Sequence, residues 1–239
     1  AMFREAEARE LLLGVDFGRR FSGELNTLKA VVEAGALGQL LSGTSTLRIQ
    51  RTMDYFRSNG GWRGTRRWDG GGVLSNQSIH HIDELAYAIG LPAKVRCDLW
   101  TQTHAIEAED LGVAAWMYDS GLVISFSGTT SYPHPTWYHA LELVGAEGAY
   151  ARFSGGPFDK PVERWYIDGA WQDRAPMTAT SEWLNAADNF AAALRIGAPL
   201  MCSGRDGRRT QAILDAMYRS AYEADGAWVD VVPDLESEV

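Results

Sequence analysis

The feature that most restricts how this chain can fold is a run of short strand-like segments joined by turns too tight for a crossover. Residues 94–103, 112–118, 122–130, 138–144, 149–153 and 162–167 each read as strands, and strings such as Asp119-Ser120-Gly121 and Gly145-Ala146-Glu147-Gly148 separate them. Consecutive strands linked this closely must pair antiparallel, because a parallel connection needs roughly a dozen residues or more. Segments of helical period surround this block: residues 2–12, 26–35 with Leu28, Val31 and Val32 at helical spacing before Gly35, 76–89 ending at Gly90 and Pro92, 181–196, and 208–224. Further strands are expected at 13–17, at 42–51, where β-branched Thr44, Thr46 and Ile49 fall, and at 228–232. The pattern predicts an α+β fold, an open and predominantly antiparallel sheet with helices on one face. The other face is left open or available to an oligomer.

Composition narrows the function classes. A chain of 239 residues with 46% hydrophobic content is enough for one sizeable core, so 1–239 reads as a single domain. Its net charge of -9 excludes a nucleic-acid partner, which would need a concentrated positive surface, and leaves the basic stretch 63–67 as local surface or a small anionic-ligand contact. No apolar run approaches bilayer length, so no membrane association is expected. Cys97 and Cys202 lack metal-type spacing and are too few for a disulfide framework, which favours a reducing cytoplasm. His104, His134 and His139 have no carboxylate or cysteine at ligand spacing, so no metal is expected. Nine tryptophans exceed the needs of one small core, and a homo-oligomer through the sheet face is expected to use some of them. Trp116, Trp137, Trp165, Trp171, Trp183 and Trp228 are assigned to core, sheet face or interface. No GxGxxG joins a strand to a helix, so no dinucleotide site is visible.

The string from Trp68 to Asp83, WDGGGVLSNQSIHHID, carries the chemistry. On one continuous helix, Ile79, Ile82, Leu85, Ala86 and Ile89 share an arc of about 120°, a buried stripe. Asn76, His80, Asp83 and Tyr87 fall within about 60° of one another beside it, while His81 and Glu84 point further round toward solvent. A histidine in such a ladder exchanges protons near neutral pH, and a carboxylate one turn away fixes its tautomer. Gly71 and Gly72 bring the backbone close to a ligand and lead into a helix N-terminus with free N–H groups. Tyr55, Trp62 and Arg63, in the preceding loop, can line a sugar-like pocket, the rings as apolar faces and Arg63 as a fork of donors. The competing readings are an N-capped helix with a merely structural histidine, and a loop whose aromatics only pack on the sheet.

GGGVLSNQSIHHIDELAYAIG resembles the signature of the glucose-fructose oxidoreductase and inositol dehydrogenase (Gfo/Idh/MocA) family: three glycines, Asp or Asn, three residues, His, two residues, Asp. GVDFGRRF, GALGQL, WRGT, the Glu109-Asp110 pair, LVGAEGAY and DGRRTQAILDAMYRSA are similar in the same order, so the resemblance covers almost the whole chain. It implies the substrate-side domain of an NAD(P)-dependent oxidoreductase acting on a sugar, polyol or related carbinol, with His80 the acid-base group and Asn76 orienting a substrate hydroxyl; the spacing adds Asp83 as support for His80, and Gln77 with the two glycines are expected near the substrate. The N-terminal Rossmann domain of the family is absent from the sequence, residues 1–20 reading as a remnant of the junction to it. NAD or NADP is then implied by the family and not expected on this chain alone, and a separate dinucleotide-binding domain becomes a possible partner. The family's Glu-Lys-Pro motif has no counterpart here, since Asp159-Lys160-Pro161 falls in a turn between late strands. Two other readings remain open: a non-catalytic oligomerisation or binding module, and a cofactor-free lyase or isomerase using His80.

Overall fold

The computed structural model describes residues 2–233. Nine strands of the described residues form one sheet: β1 (Leu40–Arg48), β2 (Lys94–Trp100), β3 (Leu111–Met117), β4 (Val123–Thr129), β5 (Tyr138–Gly145), β6 (Ala149–Gly155), β7 (Val162–Ile167), β8 (Ala170–Gln172) and β9 (Val229–Asp230). Their spatial order is β8-β7-β6-β5-β1-β4-β3-β2-β9. Every pair joined by a tight turn is antiparallel, as the turn lengths require, and β2 and β3, joined by residues 101–110, pair antiparallel as well. The sheet is nevertheless mixed, because β1 inserts between β4 and β5 and runs parallel to β4. Turn length decides pairing only where a tight turn exists. The 130–137 connection, with Pro133 and Pro135, is instead a loop that passes β1, and nothing local reveals which strand fills the gap.

Among the described residues seven α-helices accompany the sheet: α1 (Met2–Ala8), α2 (Gly23–Glu33), α3 (Met53–Arg57), α4 (Val73–Asn76), α5 (Ile79–Ile89), α6 (Ala186–Ile196) and α7 (Gly204–Glu223). Side chains on the sheet alternate between buried and exposed, as they must when one face is covered and the other is open. The covered face sends Val95, Trp116, Ile124, Phe126, Leu143 and Trp165 against Leu25 and Leu28 of α2, Ile82 and Leu85 of α5, and Ile213 and Met217 of α7. Trp116 and Trp165 are fully buried, so they are core residues as expected, whereas Trp137, Trp171 and Trp228 are exposed.

Several expectations are corrected. Residues 13–17 form no strand, only a bridge between Gly14 and Ser203. The helix expected from 181 begins at Ala186, since Asn185 caps it by accepting from the Asp188 N–H. The helix expected from 208 begins at Gly204, where Ser203 and Asp206 form a reciprocal capping box. Most consequential, the helix expected over 76–89 is two pieces. The Ser78 N–H reaches back five residues to the Val73 carbonyl, a π-type closure that inserts one residue into the helical phase between Asn76 and His80.

Candidate active site

The turn into α4 is fixed by one buried carboxylate. Glu109, 2% exposed, accepts from the N–H groups of Gly72 and Leu74 at 3.0 Å and from the Tyr218 hydroxyl at 2.8 Å. Burial pushes the Glu109 carboxyl above its ordinary range, against the pull of these donors. Gly72 is required because a Cβ there would stand 1.8 Å from the Glu109 carbonyl oxygen, and one at Gly71 would stand 1.9 Å from the Tyr218 hydroxyl. Gly71 and Gly72 are buried in protein. Their expected role of presenting backbone to a ligand is therefore corrected, because the N–H groups at this helix start already serve Glu109.

On the other side of α4 lies a cleft of about 420 Å³ whose lining includes Asn76, Gln77, His80 and His81, with Arg19, Arg51 and Trp137 around them. The exposed His80 imidazole meets Phe17 edge-on, ring centroids 6.0 Å apart, and has no hydrogen-bond partner among the described residues. Asn76 is held by a small network: its Nδ2 donates to Asp69 at 2.9 Å, and its Oδ1 accepts from Tyr55 at 3.1 Å and from Gln77 at 2.8 Å. Gln77 Nε2 also donates to the Tyr55 hydroxyl at 3.0 Å, so the Gln77 carbonyl oxygen is the part of that side chain left over for a ligand. Tyr55 thus braces Asn76 and Gln77 from behind, with the guanidiniums of Arg51 and Arg63 each 4.6 Å from its ring centroid. Arg63 donates to Ser58 and stacks on Trp62, and neither Trp62 nor Arg63 lines the cleft. A second cleft of about 510 Å³ between α2, α5 and α7 lies away from His80, and four of its charges pair internally, Lys29 with Glu33 and Arg20 with Asp206, with Arg209 also on its lining.

Asp83 does not join His80. It is fully buried, with Oδ1 accepting from Arg20 at 2.7 Å and Thr210 at 2.8 Å, and Oδ2 from the Arg20 Nε at 2.9 Å. Its expected support of the His80 tautomer is corrected to a structural ion pair joining α5 to the 3-10 turn Gly18–Phe21 and to α7. The expectation that His81 and Glu84 face solvent is also overturned, since they are 7% and 1% exposed. Helix α5 is enclosed by α2 and α7 as well as by the sheet, so it has more than one buried side.

Glu84 is the hub of this second buried group. Its Oε1 accepts from Arg19 at 2.9 Å and from Arg152, and its Oε2 lies 3.3 Å from His81 Nδ1 and 3.9 Å from His139 Nε2. The two imidazoles stack at 3.8 Å. Burial works to raise the Glu84 carboxyl, but Arg152, His81 and Arg19 together hold it well below its usual range. Burial lowers His81, opposed by its Glu84 hydrogen bond, and burial with the adjacent His81 lowers His139 further. His81, Glu84 and His139 place ligand atoms within 4.8 Å of one another, so the sequence reading that left His139 without a carboxylate is corrected. Two guanidiniums already neutralise that carboxylate, which makes the group an ion-pair cluster. His104 likewise has a carboxylate, with Asp110 2.9 Å from its Nδ1 and the Arg51 carbonyl 2.7 Å from its Nε2. Arg19, Arg51 and Trp137 are cleft residues that sequence spacing missed. Their only signal was Arg19 within GVDFGRRF.

The class defined by this fold and cleft is found in known proteins. The model of the GFO/IDH/MocA C-terminal domain matches residues 25–151, more than half of the chain, and the chain belongs to this family. It is 26% identical to inositol 2-dehydrogenase of Rhizobium meliloti over 88% of its own length, and spans 63% of that protein, less than two thirds. It is similar to the WlbA dehydrogenase of Bordetella pertussis, solved with NADH and UDP-GlcNAcA, at 26% identity and a TM-score of 0.83, covering 98% of this chain and 68% of that one. Levoglucosan dehydrogenase, solved with NADH and levoglucosan, shares the fold at 24% identity and a TM-score of 0.75 over 97% of this chain and 69% of that one.

The buried histidines set a pH dependence. Unfolding returns His81 and His139 to about 6.5, so below that pH the unfolded chain binds more protons than the folded one. Stability should therefore be full above pH 6.5 and fall on acidification, by about 1.4 kcal/mol per pH unit for each histidine that stays neutral. Glu109, raised by burial, acts in the opposite sense just above its ordinary value of 4.5. The clearest readout is urea unfolding of the protein and of His139→Gln between pH 7.5 and 5.0, in which the variant should lose less stability over the range. Equal slopes would contradict the assignment.

Proposed function

We propose that this chain is the substrate-side domain of an NAD(P)-dependent oxidoreductase acting on a sugar, polyol or related carbinol, with His80 as the acid-base group. The observation that carries the reading is the His80 imidazole, exposed in a cleft beside Asn76 and Gln77 and without a hydrogen-bond partner for either ring nitrogen among the described residues. In this reading the carbinol hydroxyl gives its proton to His80 on oxidation and takes it back on reduction. The Gln77 carbonyl and the unused Asn76 N–H orient neighbouring hydroxyls, and Trp137 offers its face to the sugar C–H groups.

A nicotinamide supplies or accepts the hydride in this family's chemistry, and inositol 2-dehydrogenase and the NADH-bound WlbA dehydrogenase support that choice of cofactor. The described residues around the cleft suit a sugar-like ligand and include no glycine-rich backbone cradle of the kind a dinucleotide pyrophosphate occupies. The backbone N–H groups nearest to a phosphate cradle, at the start of α4, already serve Glu109. We therefore assign the dinucleotide to a separate binding unit, and to this chain the 1–239 substrate-side domain with its first twenty residues belonging to the junction. No helix among the described residues is long and apolar enough to cross a membrane, and both cysteines are free and buried, in keeping with the cytoplasmic setting we propose.

The open sheet face is proposed as a homo-oligomer surface. Strand register aligns Trp171, Tyr166, Val144, Val123 and Met117 in one row across it, with Ala149 and Ser42 between, and the five large residues are all exposed. A contiguous exposed apolar row of this kind marks an interaction surface. Light scattering should find a dimer or larger that Val123→Arg weakens, and a strict monomer at high concentration would remove this assignment. For the activity, NAD(P)-coupled oxidation of a polyol panel in the assembly that holds the dinucleotide should fall about 100-fold in turnover for His80→Ala with the melting temperature unchanged. Unchanged turnover would reject His80 as the acid-base group. His81→Ala, by contrast, should lower the melting temperature, because it opens the Glu84 cluster.

A further inference from the structure

The cleft is basic in an acidic protein. The chain carries 31 acidic and 22 basic side chains, yet the cleft lining holds two arginines and no Asp or Glu. Arg51 has no carboxylate partner among the described residues: it donates from Nη1 to the Gln50 carbonyl at 3.3 Å and lies over the Tyr55 ring. Arg19 spends one nitrogen on Glu84, a carboxylate that Arg152 also uses. In both arginines the Nε is buried without any hydrogen-bond acceptor. Those two nitrogens are shut off from the cleft, so what a ligand meets is the excess charge: the single negative charge of Glu84 is shared by Arg19 and Arg152, and no carboxylate among the described residues faces Arg51.

The positions of both guanidiniums are set by the fold. The backbone carbonyl of Arg51 is held by His104, which Asp110 fixes in turn, and the Arg51 side chain is layered on Tyr55, the residue that braces Asn76 and Gln77. Arg19 is tied to α5 through Glu84. Guanidinium forks so placed match the geometry of an oxyanion with two or three equivalent oxygens far better than that of a single hydroxyl.

We propose that the substrate of the His80 cleft carries an anionic oxygen group, a carboxylate or phosphate on the sugar, which Arg19 and Arg51 bind. The proposal rests on the reading of this cleft as the sugar site, and it makes the enzyme selective for acidic sugars over neutral polyols. The arginines fix the charged end while His80 addresses the carbinol at the other.

Binding to the full chain tests this, followed by calorimetry and by the His80 imidazole signal in histidine-labelled NMR spectra. The probes are D-glucuronate, D-glucose 6-phosphate and neutral myo-inositol. At least one anionic probe should bind ten-fold or more tightly than myo-inositol, the tighter of the two identifying carboxylate or phosphate, and its binding should weaken as salt is raised. Arg51→Gln should bring that affinity down to the level of myo-inositol, and Arg51→Lys, which keeps the charge and loses the fork, should fall between. Myo-inositol binding as tightly as both anions, or an anion affinity that Arg51→Gln leaves unchanged, would overturn the proposal and leave the sugar-site reading standing. If no probe moves the His80 signal, both fall together.

Discussion

The arrangement depends on one buried carboxylate. Glu84, on α5, draws in Arg19 from the 3-10 turn before α2, Arg152 from β6 and His81 from its own helix, with His139 of β5 stacked on His81. Charges taken out of water are tolerable only when their partners are all present, and removing one costs several kcal/mol because the others are left bare. The cluster therefore fixes the rotation of α5 against the sheet, turning His81 inward and leaving the next residue back, His80, at the cleft. Asp83 does the same on another side of the helix through Arg20 and Thr210. With two buried ion pairs holding it, α5 can carry an exposed histidine whose position owes nothing to hydrogen bonds of its own.

Glu109 plays the matching part for α4. It fills the helix start that the sequence offers to a ligand, and with Tyr218 it explains both glycines by close packing. The site is thus divided between a dry, fully occupied polar interior and an open cleft in which Asn76, Gln77 and Tyr55 satisfy one another in part and the arginines do not.

Much of this was legible in the chain itself. The six turn-linked strands, the α+β class and the family resemblance follow from short-range pattern, and helix and strand placements differ from the sequence reading mostly at their ends. What escaped did so for physical reasons. The parallel β1–β4 pair joins segments far apart in sequence. The π-type closure at Ser78 broke the continuous helical phase that placed Asn76 in one ladder with His80 and Asp83. A helix enclosed on several sides buries charged residues that periodicity sends to solvent, and only the sequence-distant Arg20, Arg19 and Arg152 make that possible. Arg51 and Trp137 reach the cleft from separate loops and carry no local motif.

The central claim, that the Glu84–Arg152 ion pair pins α5 to the sheet, is tested most directly by a double-mutant cycle with Glu84→Gln and Arg152→Met, read by denaturant unfolding. The account predicts that each single change costs about 3–5 kcal/mol, through the partner it strands in the interior, and that the double change costs far less than their sum. Costs that add to within about 0.5 kcal/mol would mean that the two residues act independently and that α5 is held by something else.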